Sequence, residues 1–157
     1  MERYSSFVLQ FCYGLIKSFL RLETFLFAER IMWVSPQLEG KLSQQSLEEL
    51  FELAKEECGR GTNIAQSLHG MQVNFDRMLT KNKIIIIVSD AKTVAGEESV
   101  EELRKIARKT KGVFWLNPIA KNLWNQYSAI YLLGKYCRMV ECSTLSQLDE
   151  IMHKVLL

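Results

Sequence analysis

Two residues in this sequence have side chains and positions suited to binding a hard metal ion. Thr62 ends a glycine-flanked loop, GRGT (residues 59–62), directly before a predicted helix, and Asp90 follows the apolar run IIIIV. Hydroxyl and carboxylate oxygens are the ligands that Mg²⁺ prefers in proteins. Each residue also has a structural interpretation, since Thr62 could cap the next helix and Asp90 could cap its own loop. Both interpretations stay open at this point.

Other chemistry finds less support in the residue pattern. The GRGT loop could bind phosphate, but it lacks the GxxxxGK[ST] spacing and follows a helix rather than a strand. His69 and His153 are predicted on helix surfaces, and Cys58 has no evident general base beside it. The sequence therefore favours a protein that is not an enzyme. The alternative is an α/β nucleotide- or phosphate-binding enzyme domain that uses the GRGT loop and Asp90.

Composition and charge limit the class of protein. The chain has 157 residues, of which 48% are hydrophobic and 24% charged, with a formal net charge of +2. Such values predict a single globular domain over residues 1–157 and give no electrostatic case for nucleic acid or membrane as a partner. The four cysteines show no CxxC pairing, which predicts reduced, partly buried thiols in a cytoplasmic protein.

Apolar periodicity predicts alternating strands and helices. The opening residues form two apolar rows of a helix, and the pair Ser46 and Glu49 has the spacing of a capping box at the start of a later helix. The run IIIIV lacks polar alternation, which indicates a strand covered on both faces, as central parallel strands are. The predicted strands are residues 22–27, 31–34, 84–88, 113–116 and 138–142, and helices are predicted after residue 46, from residue 64, around 100–107, within 123–133 and from residue 145.

This alternation predicts an α/β fold with helices on both faces of a mostly parallel sheet. Residues 22–27 and 31–34 are separated by a short turn and are predicted to pair antiparallel. In such a fold the loops after the parallel strands lie along one edge of the sheet, which is where ligands bind. Asp90 and Asn117 both fall at predicted strand ends. The functional surface is therefore expected at that edge.

The order of these segments resembles the von Willebrand factor type A (VWA) domain, and within it the CoxE-like group. The resemblance rests on the segments FLFAERIMWVSPQL, GRGTNIAQSL, IIIIVSDA and VFWLNP, in this order, and it runs over nearly the whole chain. It implies a three-layer Rossmann-like sheet flanked by helices. It also implies a metal-ion-dependent adhesion site (MIDAS), in which Mg²⁺ is held at the strand ends.

The resemblance assigns Thr62 to the family's threonine ligand and Asp90 to the aspartate of its SDG motif, with Ala91 in place of the glycine. The family's DxSxS motif, often DxSGSM, is absent from these residues. Met1 stands where the last residue of that motif would be, so the expectation is an N-terminally truncated domain that lacks its first central strand. A start placed too far downstream or a split gene is favoured over a strand supplied by a partner.

Two consequences are expected. Thr62 and Asp90 alone make a poor octahedral site, so Mg²⁺ should bind weakly or not at all. Strands 22–27 and 84–88 should pair with each other or leave open edges that allow self-association. The resemblance further implies a protein-interaction module that works with a MoxR-type AAA+ ATPase in the maturation or remodelling of a metalloenzyme client.

Overall fold

A computed structural model describes residues 10, 12–18, 21–38, 43–58 and 61–156, with the side chains of residues 54, 57, 58, 155 and 156 left aside. The chain forms two compact units, Met1–Thr62 and Asn63–Leu157. Each unit has its own sheet, two-stranded in the first and three-stranded in the second. The single domain predicted for residues 1–157 stays a prediction.

The first unit is built on an antiparallel hairpin. Strand β1 pairs with β2 so that Phe25 lies opposite Trp33 and Phe27 opposite Ile31. This confirms the predicted hairpin, although each strand is only three residues long. The elements in order are α1 (residues 12–18), β1 (Phe25–Phe27), β2 (Ile31–Trp33), α2 (Ser35–Leu38) and α3 (Gln44–Cys58).

The hydrophobic core of this unit lies between the hairpin and its helices. Tyr13 and Ile16 of α1 and Leu26 and Met32 of the hairpin pack against it. Leu15 of α1 is also buried. The described members of the two predicted apolar rows, Cys12, Leu15 and Ile16, are buried or half-buried as predicted, while the other members, residues 7, 8, 11, 19 and 20, lie outside the described residues. The buried centre consists of Val34, Leu38, Leu47 and Leu50.

The start of α3 corrects the predicted capping box. The helix begins at Gln44, so Ser46 lies inside its first turn. Ser43 Oγ accepts a hydrogen bond from Ser46 N at 3.1 Å, and Ser46 Oγ accepts one from Ser43 N at 2.9 Å. This reciprocal pair satisfies two backbone donors, as a capping box does. Ser46 therefore acts as the N3 residue of a box that Ser43 opens.

The second unit alternates helices and parallel strands. Helix α4 (Ile64–Phe75) is followed by a short 3-10 helix (Asp76–Met78), and α7 (Leu145–Ile151) continues into a π-helix (Met152–Leu156). These bounds confirm the predicted elements to within a few residues. Between these ends lie β3 (Ile84–Val88), α5 (Gly96–Lys109), β4 (Gly112–Asn117), the 3-10 helix Lys121–Gln126, α6 (Ser128–Leu133) and β5 (Arg138–Glu141).

The strand order of the second sheet is β3-β4-β5, and both pairings are parallel. Helices flank this sheet, which gives the α/β, Rossmann-like architecture that the sequence predicts. The predicted placement of residues 84–88 at the centre is wrong for the described sheet, because β3 pairs only with β4 there. The central strand is β4, whose Trp115 and Leu116 are fully buried, whereas Ile84 is 39% exposed. Pairing on both sides, and not the length of the apolar run, determines which strand is buried most.

None of the helices in the described part of the chain is both long and apolar enough to cross a bilayer.

Candidate functional site

The candidate site lies where the three parallel strands of the second unit end. Asp90 follows β3, Asn117 ends β4, and Glu141 ends β5. Asn117 and Glu141 are direct neighbours in the register of β4 and β5. Parallel strands bring their carboxyl ends to one edge of a sheet, so the loops after these strands share that edge.

The loop after β3 has a defined backbone conformation. Ala91 is fully buried and has a φ of 59°, in the left-handed region. Ser89 Oγ accepts a hydrogen bond from Ala91 N at 3.2 Å, and Asp90 Oδ1 accepts one from Lys92 N at 3.0 Å. Glycine adopts this region without strain, so alanine here keeps a backbone shape that glycine would adopt more easily.

Two side chains of β4 bind the backbone of the same loop. Trp115 Nε1 donates a hydrogen bond to the carbonyl oxygen of Ser89 at 2.9 Å, and Asn117 Nδ2 lies 3.4 Å from the carbonyl oxygen of Asp90. Asn117 is fully buried, and its Oδ1 accepts a hydrogen bond from Ile119 N at 2.8 Å. The main chain at Ser89 and Asp90 is thus fixed by the neighbouring strand, which leaves the partly exposed Asp90 carboxylate at a defined position.

Glu141 is a charged residue of this edge that the sequence reasoning missed. Its Oε2 accepts a hydrogen bond from Lys121 N at 2.9 Å, and its Oε1 accepts one from Gln147 Nε2 at 3.2 Å. The Lys121 amide first, and then Gln147 and Ser143, lower the pKa of the Glu141 carboxyl. This carboxylate braces the loops after β4 and β5. Its position at the end of a predicted strand, just before the Ser-Thr start of a helix, was the available signal.

Thr62 lies at the end of the first unit and is exposed. It is not the helix cap, since the N-cap of α4 is Asn63, whose Oδ1 accepts a hydrogen bond from Gln66 N at 2.9 Å. The Thr62 hydroxyl makes no hydrogen bond to a described residue. Gly61 N donates to Glu29 Oε1 at 3.1 Å, and a Cβ at residue 61 would lie 2.8 Å from that oxygen. A side chain at residue 61 would therefore displace the carboxylate end of Glu29, which is exposed and flexible enough to move.

The predicted metal ligands, Thr62 and Asp90, belong to different units, and their assignment to one magnesium site stays a prediction. One Asp90 oxygen is engaged by its own loop, and the other accepts no hydrogen bond within the described residues. The described part of the chain also holds no cluster of three or more His, Cys, Asp or Glu residues arranged to bind a metal. On this donor set alone, the described residues do not make a complete octahedral oxygen shell.

The cysteines and histidines do not add a reactive centre to the described residues. Cys12, Cys137 and Cys142 are free, as predicted, and burial raises their pKa values to about 11, 12 and 12. Thiols with such high pKa values are poor nucleophiles at neutral pH. His69 and His153 are exposed, as predicted, and lie beside Glu102 and Asp149. The side chain of Cys58 lies outside the described residues.

Comparison with known proteins places the chain in a family. A search of curated proteins and a search of solved structures each returned no match. A family model described as "VWA domain containing CoxE-like protein" matches residues 1–151. The match spans both units and includes Thr62, Asp90 and the loops after β4 and β5. The chain therefore belongs to the family of CoxE-like proteins that contain a VWA domain.

Proposed function

We propose that this chain is a non-enzymatic protein-interaction module that works with a MoxR-type AAA+ ATPase in the maturation or remodelling of a metalloenzyme. The observation that carries the proposal is the match to the CoxE-like VWA family over residues 1–151. This family is generally one of protein-interaction modules. We further propose that the chain acts in the cytoplasm and does not bind nucleic acid.

The strand ends of the second unit are the proposed contact surface. Asp90 presents a partly exposed carboxylate on a loop whose backbone is held by Trp115 and Asn117. A carboxylate fixed in this way loses little conformational entropy on binding, which favours association with a partner. Asp90 is therefore the residue proposed to contribute most to recognition at this edge.

Magnesium is proposed to play at most a weak part in this chain. The sequence contains no DxSxS motif, and the candidate ligands Thr62 and Asp90 supply only two side-chain oxygen groups. Mg²⁺ demands near-ideal octahedral geometry and gives up its water reluctantly. Isothermal titration calorimetry of the full chain should give a dissociation constant well above the micromolar range. Micromolar or tighter binding that Asp90→Ala abolishes would overturn this part of the proposal.

The interaction itself can be tested with a purified MoxR-type AAA+ ATPase. Biolayer interferometry with the immobilised chain should show saturable binding that Asp90→Asn weakens about tenfold, which corresponds to about 1.4 kcal/mol. Asparagine keeps an acceptor for Lys92 N, so the variant removes the charge without removing the turn. Asp149→Asn is the matched control, because Asp149 is an exposed carboxylate on α7 with 77% of its side chain accessible.

Nucleotide binding distinguishes the proposal from its enzymatic alternative. ATP and GTP are titrated into the purified chain, and hydrolysis is followed by phosphate release. The proposal predicts neither saturable binding nor turnover by the chain alone. Saturable nucleotide binding that depends on Asp90, together with failure to bind the ATPase, would instead support an α/β phosphate-binding enzyme.

A further inference from the structure

The strand starts of the second sheet carry a group of cations, at the edge opposite Asp90. Lys83 directly precedes β3, and Lys111 directly precedes β4. The main-chain nitrogen of Lys111 donates a hydrogen bond to the carbonyl oxygen of Lys83 at 2.8 Å, so the two lysines are immediate neighbours in space. The side-chain ammonium of Lys81 donates to the carbonyl oxygen of Arg108, near the end of α5. We refer to these exposed residues, Lys81, Lys83, Arg108 and Lys111, as the basic corner.

The carboxylates of the second unit are engaged by other groups or lie elsewhere. Glu97 and Glu98 are in the first turn of α5, at the other end of that helix, and the two carboxylates of α7 pair with cations that follow them in the chain. The ion pairs nearest to the basic corner in the sequence are Glu101 with Arg104, Glu102 with Lys105, and Asp76 with Lys109. Within the described residues, no cation of the basic corner forms an ion pair with a carboxylate.

Only part of this positive charge has a structural role. The last carbonyl groups of a helix carry partial negative charge, which a nearby cation stabilises. Lys81 acts in this way, because its ammonium contacts the Arg108 carbonyl oxygen.

Lys83 and Lys111 differ from Lys81 in this respect. Their ammonium groups make no hydrogen bond to a described residue, and both side chains are exposed. Like charges on neighbouring residues of adjacent strands repel each other and destabilise the pairing. An anion bound beside the two lysines would reduce this repulsion.

We propose that the basic corner binds a carboxylate-rich segment of a partner protein. Its carboxylates pair with Lys83 and Lys111, and Arg108 extends the positive surface to the end of α5. Complementary charge of this kind speeds association and disfavours basic partners.

An acidic protein segment fits the basic corner better than nucleic acid does. The corner has few cations against the roughly 6–10 phosphate contacts of a strongly salt-dependent DNA-binding protein. The formal net charge of +2 also gives the chain no broad positive field. This surface lies at the opposite edge of the sheet from Asp90, and the proposal rests neither on a metal nor on the ATPase.

The test uses defined peptides and the full chain. Fluorescence anisotropy is measured with a labelled short peptide in which Glu alternates with Gly. Two matched peptides carry Gln or Lys in place of every Glu. The proposal expects saturable binding of the acidic peptide and no detectable binding of the other two. Binding of the acidic peptide should weaken at least about tenfold when the ionic strength rises from about 0.01 M to about 0.15 M.

Charge-reversing variants locate the binding site on the chain. Lys83→Glu and Lys111→Glu should each weaken binding of the acidic peptide about tenfold. Lys121→Glu makes the same change in net charge beyond the other end of β4, a strand about 20 Å long, and should leave binding almost unchanged. Lys121 is a suitable control because it is exposed and contacts Glu141 through its main-chain nitrogen, which the substitution keeps.

Thermal unfolding separates a loss of binding from a loss of fold. Lys83→Glu places a negative charge beside Lys111, so its melting temperature should rise by about 1–2 °C while its affinity for the acidic peptide falls. Circular dichroism melting of wild type and each variant measures this shift. Weaker binding by a more stable protein cannot be attributed to unfolding.

Several results would overturn the proposal. One is no saturation with the acidic peptide at millimolar concentration. Another is an equal loss of binding in Lys83→Glu and Lys121→Glu, which would indicate attraction by net charge alone. A lower melting temperature in Lys83→Glu would show that the two lysines do not repel each other. Tighter binding of a labelled single-stranded DNA that is lost in Lys83→Glu would assign the basic corner to nucleic acid.

Discussion

The two units of this protein build their sheets in different ways. In the first unit, β1 and β2 are separated by only three residues and pair antiparallel. In the second unit, α5 lies between β3 and β4 in the chain, and these two strands pair in parallel. Strand β4 also pairs with β5, so it has a strand on each side. All three residues of β1 are half-buried, whereas four of the six residues of β4 are buried. Local turns therefore organise the first unit, and a buried non-local strand organises the second.

The largest expected effect comes from the centre of β4. Trp115→Ala removes a fully buried ring and leaves the Ser89 carbonyl without its indole donor, so we expect the free energy of unfolding to fall by about 3–5 kcal/mol. Urea denaturation measures the loss. Hydrogen exchange shows which strands lose stability. The amides of β3, β4 and β5 should lose more protection than those of β1 and β2.

The matched control for this substitution is a tryptophan of the first unit. Trp33 is 37% exposed, and its Nε1 donates to Glu23 at the surface, so Trp33→Ala should cost about 1 kcal/mol. Equal costs for the two tryptophans would contradict the contrast between the hairpin and the buried strand.

A smaller effect is expected at the start of α4. Asn63→Ala removes the side chain that accepts a hydrogen bond from Gln66 N, and it should destabilise the protein by about 1 kcal/mol. Thr62→Ala changes an exposed residue that is not the cap and should alter stability by less than about 0.5 kcal/mol. Thermal unfolding of both variants under the same conditions decides which of the two adjacent residues caps the helix. A larger loss in Thr62→Ala would show that the cap is assigned wrongly.

The stability contributed by the Glu141 hydrogen bonds is expected to depend on pH. Glu141→Gln replaces one acceptor oxygen with a donor that faces other donors and should cost about 1 kcal/mol at neutral pH. Because hydrogen bonds lower the pKa of Glu141 in the folded state, its contribution is present above the unfolded pKa of about 4.3 and is lost as the pH falls through the lowered value.

Urea titrations of wild type and Glu141→Gln at several pH values measure this dependence. The difference between the two proteins should be largest near pH 7 and shrink below about pH 4. Glu150→Gln, at an exposed carboxylate of α7, is the control and should show little difference at any pH. A gap between wild type and Glu141→Gln that stays constant down to acidic pH would contradict the role of the charge.

The smallest effect is expected at Ala91. Glycine relieves the cost of the left-handed conformation, about 1 kcal/mol, but it also removes a buried methyl group worth about 0.8 kcal/mol. Ala91→Gly should therefore change the free energy of unfolding by less than about 0.5 kcal/mol. Ala91→Val should cost more than about 1 kcal/mol, since branched residues avoid positive φ. Chemical denaturation compares the two, and a harmless valine would show that the loop does not hold residue 91 at positive φ.

Much of the secondary structure could be read from the sequence because its signals are local. The apolar period of α4 and the turn between β1 and β2 act within a few residues, and both elements lie where they were predicted. The exact first residue of a helix was harder to predict, because several nearby residues can give the same local capping signal. The sequences around Ser43 and Thr62 each offer two residues able to cap, Ser43 or Ser46 and Thr62 or Asn63, and the choice depends on the backbone angles of the first turn. Spacing selected Ser46 as the cap of α3, whereas the fold uses Ser43. At α4 the sequence left Thr62 open between a cap and a metal ligand, and the fold uses Asn63 as the cap.

The sequence by itself determined the α/β alternation, the strand-end location of Asp90 and the membership of the CoxE-like VWA family. Only the tertiary structure decided that β4 is the central strand of the described sheet, that Asn117 and Trp115 hold the Asp90 loop, and that Glu141 braces the same edge. The physical reason is that strand pairing and these hydrogen bonds join residues 20 or more positions apart. Their partners are set by the packing of the whole sheet, which no local pattern records.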